Sequence, residues 1–549
     1  MRVALAQVNP TVGDLAGNRR LVEEAAAKAA AAGAELVVLP ELVLTGYPPM
    51  DLLERDGFVR DQLRELEALA PISRRIDVVL GAVLPHEGRG AERLENAAVL
   101  LSGGRRAGAQ GKSLLPTYDV FAERRHFAPA AARAPVKVGA GQSCLGLTVC
   151  EDVWADHFPY GIDPVGELVA AGAEAVLNIS CSPWRGGKPA ERRRVVGALA
   201  RRHGVPIVYV NQLGGNDEII FDGGSFVASG EGRILLQLPL FEPALEVFDL
   251  EHPGAGVEAD AVAEPERIAQ LETALVLGIR DYFRKQGLPL GAVIGLSGGI
   301  DSALTAHLAV RALGPERVLG LAMPGPFSSA HSLDDALAVG RNLGIEVRRV
   351  EIGPIYDAYL RAFGQLLGAQ EDYGVTQQNI QSRIRGALLM AVSNAEGRLV
   401  LATGNKSELS IGYCTLYGDT VGGLCVIGDV YKHDVYALAR WANRDGERIP
   451  SGSLHKAPSA ELAAGQLDSD DLPPYDVLDA VLVQAVEGAL GAEAIRPPPG
   501  ADRALVRSIV ARLDRNEYKR RQAPIVLRVT EKAFGSGRRL PIVHRYQGS

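Results

Sequence analysis

The sequence predicts two α/β units in tandem: a layered α/β domain over residues 1–252 and a doubly wound parallel-sheet domain over 266–549, joined by a linker at 253–265. Three observations lead there. Short apolar runs alternate with turns and helical patterns along the chain, as layered α/β folds require. The stretch EHPGAGVEADAVAEPE (251–266) drops all periodicity and gathers Gly, Pro and acidic residues. After it the order is helix, strand, glycine turn, helix, strand, the sequence expected of parallel strands with helical crossovers.

In the first half the strand candidates are VALAQV, ELVVLP, VVLGAVL, AAVLL, CLGLTVC, AVLNIS, PIVYVN and GSFVAS, each a short β-rich run. NRRLVEEAAAKAAAAG carries a helical pattern rich in the best helix former. The second half begins with the helical stretch RIAQLETALVLGIRDYFRKQG, followed by the strand GAVIGL, a helix opening near Asp301, and the strand VLGLAMP.

Composition excludes several classes. Of the 549 residues, 47% are hydrophobic and 23% charged, which fits a globular protein with ample core and no disordered or fibrous bias. Lys plus Arg number 58 against 66 Asp plus Glu, so the net charge of −8 offers no global attraction to nucleic acid or an anionic membrane. The five cysteines form no CxxC pair, which argues against zinc ribbons and thioredoxin-type chemistry, and a reducing cytoplasm is the expected setting. No apolar run has the length of a membrane span, and the histidines form no HExxH metal motif.

VIGLSGGIDS (293–302) places Ser297, Gly298 and Gly299 between a strand and a helix. Bare backbone next to the positive end of a helix dipole suits a phosphate-like anion, although a Gly pair alone is more often a turn. Asp301 would face that anion with like charge unless a cation intervened, which implies magnesium. Neither GxxxxGK[ST] nor GxGxxG occurs, so P-loop kinases and dinucleotide dehydrogenases lose support. In the first half, Cys150 ends the apolar strand of LTVCEDVW, Glu41 follows the strand ELVVLP, and Lys112 opens GKSLLPTYDVFAE. A lone cysteine is usually a core residue. Together with a base and a cation it becomes a nucleophile, with Glu taking the thiol proton and Lys stabilising a tetrahedral oxyanion.

SGGIDS resembles the loop of the N-type ATP pyrophosphatases. With TQQNIQSRIRG, LVLATGNKSELSIGYCTLYGD, DVYKHDVYALARW, KAPSAELAAGQLD and NEYKRRQAPIV, it makes residues 266–549 similar to the NAD synthetases. The resemblance implies ATP contacts at Gly295, Leu296, Ser297, Gly298, Gly299, Ile300, Asp301, Ser302 and Thr403. It implies deamido-NAD contacts at Asn379, Glu408 and Lys519, and Mg2+ on Asp301 and Glu408. Gln378 stands where the family usually has an acid, and Phe327 where tyrosine is commoner.

The first half, with LNISCSPWRGGK and NQLGGNDEIIFDGGS, resembles the nitrilase superfamily, specifically the glutaminase domain of glutamine-dependent NAD synthetases. That implies a nitrilase-like α/β sandwich with Cys150 as acylated nucleophile, Glu41 as base and Lys112 as oxyanion partner, supported by Glu123. Tyr118, Ser182 and Lys188 match glutamine-binding positions, and Trp184 replaces a commoner phenylalanine. The implied reaction uses ATP and glutamine as co-substrates. Free ammonia would protonate and diffuse away, so a protected route between the sites is expected, and symmetric assembly being the default makes a homo-oligomer the expectation. An amidase carrying a nucleotide-sensing module, or an ATP pyrophosphatase acting on another acceptor, shares parts of this pattern.

Overall fold

In the strand Arg2–Gln7, Val3 and Leu5 enter one apolar cluster while Ala4 and Ala6 enter another. A strand buried on both faces needs a layer on each side, and alternation assigns each side chain to its layer. The structure, a computed structural model, describes residues 1–55, 57–86, 93–139, 143–544 and 546. They form two units, Met1–Pro265 and Glu266–Ser549.

The first unit holds two six-stranded sheets. One runs Ala244–Asp249, Arg2–Gln7, Leu36–Val38, Asp77–Pro85, Leu94–Ser102, Arg105–Gly111. The other runs Ile234–Gln237, Phe226–Ala228, Ile207–Asn211, Ala175–Ser180, Ser143–Val149, Val136–Val138. Val3, Leu36, Val38, Val79 and Leu100 of the first sheet meet Leu147, Leu177, Ile179 and Val208 of the second in one core. Helices Leu15–Ala31 and Phe58–Leu69 cover the outer face of the first sheet, and Lys188–His203 covers that of the second. The result is a four-layer sandwich with the sheets inside.

The segment expected as a linker adheres to this unit. Val257 and Ile234 exchange backbone hydrogen bonds of 2.7 and 2.8 Å. Arg193 donates to the Ala259 carbonyl at 3.2 Å and pairs with Glu264.

The second unit has a six-stranded sheet ordered Glu346–Arg349, Val318–Ala322, Ala292–Gly295, Leu399–Ala402, Leu424–Cys425, Ile525–Val526, with every neighbouring pair parallel. Counted along the chain this is 3-2-1-4-5-6, so the winding reverses between Ala292–Gly295 and Leu399–Ala402. Helices Gly353–Leu367 and Val375–Glu396 pack on Val293, Leu319, Leu321 and Val400. Phe327 packs at the edge of that cluster. Among the described residues no helix is long and apolar enough to cross a membrane.

Candidate active sites

The strand Ser143–Val149 ends at Cys150, whose φ of +46° lies in the left-handed region that non-glycine residues avoid. Strain of this kind persists only where the surroundings hold it. Here Asp152 does so: its carboxylate accepts from the N–H groups of Val149 (2.9 Å), Ser113 (2.9 Å) and Leu114 (2.8 Å). The turn bearing Cys150 is thereby tied to the two residues after Lys112. Burial pushes the Asp152 carboxyl up to about 6, against those three donors.

Glu41 is fully buried just past the strand Leu36–Val38. Its neighbour Gly81 has no room for a side chain, since a Cβ there would lie 2.0 Å from Leu42 N. Lys112 Nζ donates to Glu41 Oε1 at 2.8 Å and to Glu123 Oε1 at 2.7 Å, and Tyr47 donates to the same Glu123 oxygen at 2.9 Å. Burial works against the Lys112 charge, but Glu123 and Glu41 outweigh it and hold the ammonium well above the ordinary lysine value. Burial first, then the Glu41 carboxylate, push the Cys150 thiol well above its usual range while Lys112 pulls the other way. The resting cysteine is therefore a thiol beside a carboxylate and an ammonium, an arrangement that requires a base for attack.

Glu151, next to the cysteine, accepts from the Tyr118 hydroxyl at 3.0 Å and the Tyr160 hydroxyl at 2.8 Å. Burial raises its carboxyl. Lys188 begins its helix with the ammonium 3.8 Å from the Trp154 ring centre, and burial brings its pKa down to about 8. Ser182 is buried, its N–H donating to Asn211 Oδ1 at 2.9 Å. Trp184 is buried edge-on against Phe241.

In the second unit a cavity of about 460 Å³ opens at the carboxyl ends of Ala292–Gly295 and Leu399–Ala402, the point where the winding reverses. Gly295, Leu296, Ser297, Gly299, Ile300, Asp301, Ser302 and Thr403 line it, as do Asn379, Glu408, Lys519 and Gln378. Gly298 does not. It turns away with φ +79°, where a Cβ would sit 2.2 Å from the Ser332 carbonyl oxygen. Ser302 Oγ donates to the Gly299 carbonyl at 3.0 Å, closing the loop onto the first turn of the helix Ile300–Leu313. Among the wall residues Lys519 is engaged with the carbonyls of Gly412 and Cys414, both at 2.7 Å, and Asn379 accepts from Thr415 at 2.7 Å.

Asp301 and Glu408 share one buried cation, Lys432, which pairs with Asp301 and lies 3.3 Å from Glu408. Asn405 caps the short helix Lys406–Ile411 by accepting from Glu408 N–H at 3.0 Å, and its amide donates to Asp301 at 2.9 Å. Burial pushes the Glu408 carboxyl up against the pull of Lys432. Sequence reasoning singled out neither Lys432 nor Asn405, nor Asn96, Tyr47, Tyr160 and Glu151 in the first unit. The capping pattern NKSE was the one local signal; the other contacts join residues far apart in the chain.

Comparison with known proteins gives a consistent result. The pattern of the carbon-nitrogen hydrolase family matches residues 2–251, and that of NAD synthase matches 271–523. The chain is 45% identical over 560 aligned positions to a glutamine-dependent NAD(+) synthetase of Synechocystis sp., covering all of both chains. It is 40% identical to that of Thermotoga maritima, covering 100% of this chain and 99% of the relative. The solved glutamine-dependent NAD+ synthetase of Acinetobacter baumannii, in complex with ADP, matches with a TM-score of 0.77 at 38% identity, covering 99% of this chain and 98% of that one. Identity at this level over the full length of the relatives means that the chain belongs to the glutamine-dependent NAD(+) synthetase family.

Proposed function

We propose that this chain makes NAD+ from deamido-NAD, ATP and glutamine, releasing glutamate, AMP and pyrophosphate. The observation that carries the reading is the pairing, in one chain, of a buried Cys–Glu–Lys centre with a switch-point cavity walled by a Ser-Gly-Gly loop and two carboxylates. Glu41 takes the Cys150 proton as sulfur attacks the side-chain carbonyl of glutamine, and the Lys112 ammonium faces the oxyanion. The tetrahedral adduct collapses to a thioester, ammonia leaves with the transferred proton, and water releases glutamate. Glu123 holds Lys112 in place. Tyr118, Ser182 and Lys188 bind glutamine, and Glu151, a buried acid hydrogen-bonded to Tyr118, accepts from its ammonium group.

In the other unit the deamido-NAD carboxylate attacks the α-phosphorus of ATP, pyrophosphate leaves, and ammonia displaces AMP from the adenylate. Gly295, Leu296, Ser297, Gly299, Ile300, Asp301, Ser302 and Thr403 hold ATP, with Gly298 shaping the turn between them; Asn379, Glu408 and Lys519 hold deamido-NAD. Mg2+ fits at Asp301 and Glu408, because two adjacent carboxylates plus substrate phosphates are the ligand set this ion takes, and it would neutralise phosphate charge there. Lys432 pairs with both acids. Five free thiols suit a reducing cytoplasm. Symmetric homo-oligomeric assembly is the default for such enzymes.

The test is NAD+ formation with ATP, deamido-NAD and either nitrogen source. Cys150→Ala is expected to lower glutamine-driven synthesis by at least about a thousandfold and to leave ammonium-driven synthesis running. Near-normal glutamine use in the variant would overturn the nucleophile, and absence of pyrophosphate release by the parent would overturn the synthetase reading.

A further inference from the structure

Asn96 lies on the strand Leu94–Ser102 and is fully buried. Its Nδ2 donates to Glu41 Oε1 at 2.6 Å, the oxygen that also receives Lys112. Its main-chain carbonyl accepts the Lys112 N–H at 2.7 Å. One residue thus fixes the acid by its side chain and the lysine by its backbone. The other end of the amide, Oδ1, has no hydrogen-bond partner among the described residues. A buried acceptor without a partner is a cost that an apolar residue of the same size would avoid. The donor end therefore accounts for an amide at this position.

We propose that Asn96 is a positioning residue for glutamine hydrolysis: its amide hydrogen bond holds the Glu41 carboxylate in place and aimed to receive the Cys150 proton. An N–H donor stabilises the charged form of a carboxylate and carries no charge itself, so it assists Glu41 without competing with Lys112 for the oxyanion. The titratable and charged groups facing Glu41 are Lys112, Glu123, Tyr47, Cys150 and Cys181. Cys181 also donates its N–H to Glu41 Oε2 at 2.8 Å. Lys112 and the Cys181 N–H remain when Asn96 is changed, so the effect of losing this one donor is graded and readable.

The inference rests on glutamine hydrolysis at Cys150. In the full-length enzyme, glutaminase kcat/KM is measured against pH for the parent, Asn96→Leu, Asn96→Asp and Cys150→Ala, with thermal unfolding followed for each. Asn96→Leu removes the donor at nearly constant volume, so the acid limb is expected to move up by about one pH unit, with KM for glutamine within about twofold because Asn96 does not bind substrate. Asn96→Asp sets a second carboxylate beside Glu41, and the acid limb is expected to split into two coupled steps. Acid limbs of both variants coinciding with the parent, whatever the change in unfolding temperature, would reduce Asn96 to a packing role and overturn the proposal. If Asn96→Leu does not fold, the isosteric Asp variant decides alone. Glutaminase activity persisting in Cys150→Ala would instead overturn the reading on which the proposal rests.

Discussion

Lys432 shows how much one side chain can hold together. It is 2% exposed and sits between Asp301 and Glu408. Removing a buried cation from two carboxylates leaves uncompensated charge, so Lys432→Met is expected to destabilise the protein by about 3–5 kcal/mol and to slow pyrophosphate release. Urea unfolding measures the first effect and a pyrophosphate assay the second; wild-type values in both would remove Lys432 from the site. At this scale the sequence was partly legible. Glu41, Lys112 and Cys150 each stand at a strand exit and form a recognisable set, and the structure puts Lys112 on Glu41 directly. Lys432 was not singled out, although it stands in the motif DVYKHDVYALARW, because its two partners lie 131 and 24 positions away. Glu123, expected from the resemblance as a support, receives both Lys112 and Tyr47 on one oxygen, and the Tyr47 contact was not legible because it spans 76 positions.

The Ser-Gly-Gly turn carries its consequence at the scale of an element. Gly298 does not touch the cavity, yet its φ of +79° and the Ser332 carbonyl beside it leave no place for a side chain. Gly298→Ala is expected to displace the loop and to lower ATP-dependent pyrophosphate release by about a hundredfold, the penalty for a misplaced binding group, while glutaminase activity is unchanged. Loss of both reactions together would point to general unfolding. All eight strands expected in the first half are strands in the structure, since each is buried on both faces and reads as an apolar run. Arg105–Gly111 escaped notice because it is an edge strand, and its first three residues are exposed as RRA. The hairpin strand Leu213–Asn216 was hidden by its Gly and Asn, which break the strand pattern even though every residue in it is buried, and its partner Ile219–Asp222 offers only a three-residue apolar run.

Across the whole molecule, acid sensitivity has an identifiable source. Glu272, on the helix Arg267–Lys285, accepts from His307 at 3.0 Å and Trp441 at 3.0 Å and pairs with Arg311 at 2.8 Å, drawing three helices together. Burial alone would raise its carboxyl, but His307 and Arg311 bring it down to about 2. A folded pKa below the unfolded value means that the unfolded chain binds the proton more readily. The stabilisation is therefore complete above about pH 4.5, the ordinary glutamate range, and is lost as pH falls toward 2. Glu272→Gln is expected to flatten the fall of unfolding temperature between those limits; an unchanged slope would assign acid unfolding to other groups. The composition gave the class of molecule and the linker its position, but not the linker's attachment, because a Gly- and Pro-rich stretch reads the same whether it is loose or bound. Val257 extends the second sheet and Glu264 answers Arg193, which is 3% exposed. Anyone dividing the gene to express the amidohydrolase portion by itself should therefore place the stop codon after Pro265. Ending at residue 252, where the family pattern and the last full strand have already finished, would strip a buried guanidinium of its counter-ion and a sheet edge of its cover.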